Sequence, residues 1–239
     1  DRTALGVILD AEKNKLIEPN GICVEGTFGN TGIGLTLVNN ARGYKTVIVM
    51  PNITVPSKRD ILKNMGAELH LVDPQPYSDP GNYQRVSERL AKEIEKERGV
   101  KTFWAGQFEN TSNYKFHEQT TANEIYNQTN GNINGFTCAI GTGGTLTGVG
   151  IGLKSRDKNI QIACTDSQGS SMYNYFTSGN LEKKGDPSFT EGIGQARITK
   201  NLEKCEVDMS YYVDDKECIE MLFKLIKTEG LFLGTSSGV

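Results

Sequence analysis

Three short runs of glycine and hydroxyl residues carry the chemistry that this sequence advertises. They are Glu25-Gly26-Thr27-Phe28-Gly29-Asn30-Thr31-Gly32, Gly141-Thr142-Gly143-Gly144-Thr145 and Gly234-Thr235-Ser236-Ser237-Gly238. Glycine lets a backbone approach a ligand closely, and the unpaired N–H groups at a helix start favour an anion. In the first run Thr27, Asn30 and Thr31 add side-chain donors. Its composition fits an anion loop and a capped strand-to-helix turn equally well. In the second, four small residues and a second hydroxyl make a backbone nest suited to a phosphate. The spacing is not that of a dinucleotide fingerprint, and no Gly-Lys-Ser/Thr follows, so the phosphate is not expected to belong to NAD or ATP. In the third, a hydroxyl could bond a ring nitrogen or a phosphate, although such stretches are more often plain turns.

The elements around these runs must place them. Short β-rich runs alternate with helical ones. Strands are expected at 22–26, 45–51, 68–72, 101–106, 135–141, 159–166 and 207–213, from sequences such as ICVEG, KTVIVMP and GFTCAIG. Helices are expected over 1–15, 31–43, 57–66, 82–98, 113–129, from about Thr145 onward, and 214–230. Glycines at 43, 66 and 230 stand where helix C-caps belong. The stretch 167–206 reads as irregular. Repeated strand–helix units imply parallel strands with right-handed crossovers, and near-continuous apolar strands imply sheets covered on both faces. The expected fold is α/β: two lobes of mostly parallel, open, twisted sheet with helices on both faces. The lobes are expected at 1–105, the smaller, and 106–239, with the first helix assignable to either. In such sheets ligands sit beyond the carboxyl ends of the strands, where all three glycine runs fall.

Composition narrows the function classes. The chain has 239 residues, 36% of them hydrophobic, with 27 glycines and a formal net charge of −3. That suits a globular protein with a substantial core and gives no reason to expect nucleic acid. No apolar run approaches the roughly 20 residues needed to span a bilayer. The five cysteines are widely spaced and odd in number, which suggests reduced thiols in the cytoplasm or a similar compartment such as the mitochondrial matrix or a plastid. The two histidines, His70 and His117, are too far apart to suggest a metal centre, and no metal site is expected. For His117 a surface or satisfied helical role outweighs a proton relay. For Arg197 an anion contact and a solvated or salt-bridged role weigh evenly. Cys138 reads as core packing. The sequence opens at what looks like the first turn of a helix and closes inside the third glycine run, as a fragment of a longer protein would.

Together the three runs resemble the tryptophan-synthase-β-like (fold type II) family of pyridoxal-phosphate (PLP) enzymes, and most closely its cysteine synthase (O-acetylserine sulfhydrylase) branch. EGTFGNTGIGL is similar to the family's substrate-carboxylate loop. The resemblance implies substrate contacts at Thr27, Gly29, Asn30 and Thr31, with Asn30 also on the cofactor's ring oxygen. GTGGT resembles the cup for the cofactor phosphate, which implies contacts from Gly141, Thr142, Gly143, Gly144 and Thr145. GTSSG resembles the loop whose first serine, here Ser236, pairs with the pyridine nitrogen. TEGIGQ, with Gly192, resembles the glycine loop near the substrate amino acid, and AGQFENTSN implies that Gln107 lies beside the substrate carboxylate. A neutral hydroxyl opposite the ring nitrogen suits β-replacement better than chemistry that needs a long-lived carbanion. The implied reaction takes O-acetyl-L-serine through an aminoacrylate and adds sulfide to give L-cysteine.

Two departures from the family pattern stand out. The Schiff-base lysine is expected immediately before Asp1, so no catalytic residue is assigned within the sequence. Phe28 replaces a residue that is commonly serine, which removes a hydroxyl and adds bulk beside the substrate carboxylate. Alternatives are cystathionine β-synthase or a serine/threonine dehydratase of the same fold, and a non-catalytic PLP-binding homologue. The resemblance implies a homodimer as well as the small-molecule substrates, and allows a serine acetyltransferase tail as a partner.

Overall fold

The computed structural model describes residues 1–239. Every strand pairing is parallel, as the strand–helix alternation requires. The chain divides into two units, Asp1–Asn113 and Tyr114–Val239.

In the first unit, α1 (Arg2–Lys13) is followed by β1 (Ile22–Gly26), α2 (Asn30–Arg42), β2 (Lys45–Pro51) and α3 (Pro56–Asn64). Then come β3 (Glu68–Val72), α4 (Tyr83–Arg98) and β4 (Thr102–Trp104). The sheet order is β3-β2-β1-β4. β1 is buried at all five positions, and its alternating side chains feed two cores. Cys23 joins α1 residues Val7 and Ile8, with Leu35 and Phe103. Ile22 and Val24 pack with Val47 and with Ala91 and Ile94 of α4. A strand buried on both faces is the parallel-sheet pattern that its unbroken apolar run predicts. α1 lies against α2, burying Ala4, Val7, Ile8 and Ala11 at helical spacing. β4 keeps only three residues of the expected 101–106 run, because the chain turns out of the sheet at Gly106, whose φ is 56°.

In the second unit, helical residues run from α5 (Ser112–Phe116, which spans the division) through a π-helical turn (His117–Thr121) into α6 (Ala122–Gln128). β5 (Gly135–Ala139), α7 (Gly144–Lys154), β6 (Gln161–Ser167), α8 (Met172–Ser178), β7 (Met209–Val213) and α9 (Asp215–Glu229) follow, then a 3₁₀ turn, Thr235–Gly238. The sheet order is β5-β6-β7. Ile140, Leu146, Val149, Leu153, Ile160, Ile162, Cys164 and Met172 form its core. Cys138 packs against that core, and burial pushes its thiol up to about 12, as befits an inert packing residue.

Two further features differ from the sequence reading. The helix expected over 113–129 is interrupted where the Ala122 N–H bonds to the His117 carbonyl, five residues back. One extra residue in a turn leaves the apolar pattern helical, so residue types alone do not display it. The irregular stretch 167–206 contains α8, a seven-residue helix too short to carry a local signal. It is held by burial of Met172 against the core.

Candidate functional site

The strand order places the first glycine run. β1 lies between β2 and β4, so the connections leaving the carboxyl ends of β1 and β4 diverge there. That is a topological switch point, where open parallel sheets bind ligands. The loop after β1 carries Thr27, Phe28 and Gly29 into the start of α2, and the loop after β4 carries Gln107. Hydrogen bonds join them. Thr31 Oγ1 donates to Gln107 Oε1 at 2.6 Å. Gln107 Nε2 donates to the Gly26 carbonyl at 3.1 Å and to Glu25 Oε1 at 3.2 Å. The Gln107 N–H donates to Glu25 Oε2 at 3.1 Å. Asn113 Nδ2 donates to the Gln107 carbonyl at 3.0 Å, fixing that loop from behind. The Gly29 N–H donates to Thr27 Oγ1 at 3.0 Å, which closes the turn.

Ile33 is the first residue of α2 whose N–H bonds back, to the Gly29 carbonyl at 2.8 Å. The N–H groups of Asn30, Thr31 and Gly32 therefore open the helix, an arrangement favourable to a carboxylate. Asn30 is exposed at this end. Phe28 turns its ring edge-on to Tyr83, the first residue of α4, with centroids 5.2 Å apart.

Glu25 was visible in the sequence only as the start of a glycine run. The structure makes it the buried centre of this cluster, 2% exposed. Burial pushes its carboxyl up to about 8, against the pull of the Gln107 donors and the backbone N–H groups of Gly26 and Gly106. A glutamate at the end of an apolar strand, followed by small residues, was the available signal. The raised value has a linkage consequence. The folded state holds the proton more tightly than the unfolded chain, so Glu25 favours folding most below about 4.5. That contribution declines as pH rises from there to about 8. Urea titrations at pH 5 and pH 8 are expected to show wild-type stability falling by up to roughly 1 kcal/mol per pH unit, and falling less in Glu25→Gln.

The second unit gathers the second glycine run and the TEGIGQ stretch. Gly141 to Thr145 link β5 to α7, and Thr147 is the first α7 residue to bond back, to the Gly143 carbonyl at 3.0 Å. The Gly144 N–H donates to Thr142 Oγ1 at 3.3 Å, so the helix opens on the N–H groups of Thr145 and Leu146. Gln195 Nε2 donates to the Gly141 carbonyl at 3.1 Å, and Thr199 Oγ1 to the Thr142 carbonyl at 2.7 Å. The Gly194 N–H donates to the Ile140 carbonyl at 2.8 Å, holding the 190–199 loop on the turn. A Cβ at Gly141 would lie 2.7 Å from the Gly192 carbonyl oxygen. His117 is buried, not on the surface, with its Nδ1 2.9 Å from Thr121 Oγ1 and its Nε2 3.3 Å from Thr145 Oγ1. The third glycine run does not follow a strand as expected but comes after α9, where Ser236 is exposed in the 3₁₀ turn that packs on α9, with Cys218 Sγ donating to the Thr235 carbonyl at 3.1 Å.

An α/β protein whose α2 and α7 both start on open N–H groups after a glycine turn can receive small anionic ligands there. The chain belongs to the pyridoxal-phosphate dependent enzyme family, whose pattern it matches over residues 1–239. It is 42% identical to cysteine synthase 1 of Emericella nidulans over 243 residues, covering 100% of this chain and 64% of that protein. The chain thus spans just under two thirds of that relative's length. Among solved structures, O-ureido-L-serine synthase superposes with a TM-score of 0.84 at 30% identity, covering 99% of this chain and 71% of that one. O-acetylserine sulfhydrylase isoform 3 of Entamoeba histolytica does so with 0.82 at 31%, covering 99% and 67%.

The residues present fit the family's cofactor. The turn 141–145 offers backbone donors and two threonine hydroxyls and contains no carboxylate. Gly143, at φ 88°, packs directly on Leu202, where a Cβ would lie 2.4 Å from Leu202 Cγ, so the turn keeps this shape only with glycine there. Such a nest suits the phosphate of PLP.

Proposed function

We propose that the protein is a PLP-dependent cysteine synthase, which replaces the acetoxy group of O-acetyl-L-serine with sulfide to give L-cysteine and acetate. The observation that carries this reading is the joined pair of loops at the β1–β4 switch point, in a chain 42% identical to a cysteine synthase. Bound PLP supplies the electron sink that lets the α-proton and the β-substituent depart.

The protein's own residues then have defined tasks. The opening N–H groups of α2, with Thr27 and Gly29 shaping the turn, hold the substrate carboxylate. Asn30 reaches the cofactor ring. Gln107 buttresses Thr31. Gly141 to Thr145 hold the phosphate, with Thr145 backed by His117. Ser236 offers the ring nitrogen a neutral hydroxyl, and Gly192 belongs to the loop beside the substrate. The same reading includes a homodimer and the C-terminal tail of serine acetyltransferase as partners. It places the protein in the cytoplasm or the mitochondrial matrix, where its five free cysteines would stay reduced. No helix is long and apolar enough to cross a membrane.

The test uses the full-length holoprotein. Stoichiometric acetate release from O-acetylserine and sulfide-dependent cysteine formation are expected. PLP binding without either product would sink the reading. The likeness to O-ureido-L-serine synthase favours a second reading, in which a different nucleophile attacks the same β-carbon. Product analysis with sulfide, homocysteine and hydroxyurea in competition separates the two.

Phe28 bears on substrate choice. Its edge contact with Tyr83 is worth about 1 kcal/mol, so Phe28→Ser loses a little stability. It gains a hydroxyl donor beside the carboxylate loop. The KM for O-acetylserine is expected to fall about threefold to tenfold, in line with one added hydrogen bond, with PLP content unchanged. Unaltered kinetics would show that the ring lies clear of the substrate.

A further inference from the structure

We infer that Glu25 is a positioning residue for the carboxylate-binding loop: it fixes which end of the Gln107 amide faces Thr31. The inference rests on the proposed function above. Glu25 itself is too deeply buried to meet a substrate, at 2% exposed. Every partner its carboxylate has is a donor: the Gln107 N–H, Gln107 Nε2 and the backbone N–H groups of Gly26 and Gly106.

An acceptor in that position selects one of two orientations of the Gln107 amide. Nε2 must turn inward, where the Gly26 carbonyl takes its other hydrogen at 3.1 Å. Oε1 is then left facing Thr31, and the Thr31 hydroxyl must donate to it, at 2.6 Å. Serine and threonine hydroxyls have a single hydrogen. Glu25 therefore decides, through Gln107, the direction of the Thr31 hydroxyl within the turn that opens α2. This relay is not legible in the residues alone, because its members come from positions 25, 31 and 107 and meet only when β4 pairs beside β1.

Glu25→Gln keeps the shape and, at pH 9, above the value of about 8 at which Glu25 ionises, sets an NH₂ group against donors where the wild type has only acceptors, so the kinetics are read at that pH. The amide of Gln107 then has reason to flip, and the Thr31 hydroxyl to turn away. The experiment is a double-mutant cycle in the full-length holoprotein with O-acetylserine and sulfide. Glu25→Gln and Gln107→Ala are each expected to raise KM for O-acetylserine about tenfold, with kcat within about twofold, the signature of lost binding rather than lost chemistry. Combined, they are expected to raise it about tenfold in total, not about a hundredfold, because the second change acts through the first. Multiplying effects, or a KM within twofold of wild type in Glu25→Gln, would overturn the inference.

A second readout needs neither turnover nor a folded variant. The two side-chain amide protons of Gln107 in the wild-type protein are both hydrogen-bonded, so hydrogen exchange by NMR is expected to be at least tenfold slower than for exposed glutamines. Exchange at the exposed rate would overturn the inference. If the wild-type protein consumes no O-acetylserine, the proposed reaction falls, and the exchange result alone then decides whether Glu25 holds Gln107.

Discussion

Gly143→Ala is expected to strip the holoprotein of most of its PLP. Gly143 caps α7 at φ 88°, a left-handed conformation that costs an alanine about 1 kcal/mol. The added Cβ would also lie 2.4 Å from both Cγ and Cδ2 of Leu202, a core residue that is 4% exposed. Moving a packed leucine costs about 1–3 kcal/mol. The turn has a cheaper way out, which is to rotate away from Leu202. Doing so misdirects the N–H groups of Thr145 and Leu146, the donors that the phosphate needs. A loss of about 2–3 kcal/mol in cofactor affinity follows, or roughly a hundredfold in Kd. PLP retained after dialysis, read by absorbance, measures it. Gly43→Ala is the control. It too has a positive φ, 78°, but open space around the new Cβ, and it caps α2 far along the chain. It is expected to cost about 1 kcal/mol of stability with PLP affinity unchanged. A Gly143→Ala protein that holds PLP within threefold of wild type would remove the phosphate role from this turn.

The largest loss of stability is expected from Gly148→Ala. A Cβ there would lie 2.1 Å from the Tyr114 carbonyl oxygen, 2.7 Å from His117 Cβ and 2.8 Å from the Glu118 nitrogen. Two of these are backbone atoms and cannot swing aside, so α7 must lift off the helical segment that carries the π turn. That pulls Leu146, Val149 and Leu153 from the core they fill. We expect a loss of about 3–5 kcal/mol, at or beyond the upper end for overpacking, and a Tm lower by about 10 °C or more. The His117–Thr145 contact opens with it, so PLP binding weakens in whatever protein folds. Gly150→Ala, two residues on, is the contrast. Its Cβ would meet Ile162 Cγ2 at 3.4 Å, an ordinary contact. Replacing a helical glycine there is expected to stabilise by about 0.5–1 kcal/mol. Equal effects at the two positions would mean that α7 packs less closely than the structure shows.

The two variants also mark how far the residues alone could be read. The strands and most of the helices were legible because each depends on local spacing: alternating blocks of apolar residues, and glycines where helices end. GTGGT was legible as a phosphate turn because its glycines and hydroxyls are contiguous. The π turn was not, since it changes hydrogen-bond register without changing the apolar pattern. α8 was not, since seven residues carry too little local preference to stand out from a loop. For His117 the residues favour a surface or satisfied helical role, and the structure buries it with each ring nitrogen facing a threonine hydroxyl. The nearer of its partners, Thr121, is one turn away, whereas Thr145 lies 28 residues on.

The sequence by itself determined the parallel α/β architecture, the two glycine turns that follow β1 and β5 and the family to which the chain belongs. Each of these is written in contiguous residues whose local physics suffices. Only the tertiary structure decided what stands behind those turns. Glu25 and Gln107 are 82 positions apart, and neither residue type announces the other. They are joined because a four-stranded order sets β4 beside β1. The apolar cores that enforce this order leave one buried carboxylate and one amide as mutual hydrogen-bond partners, with the Thr31 hydroxyl as the next link.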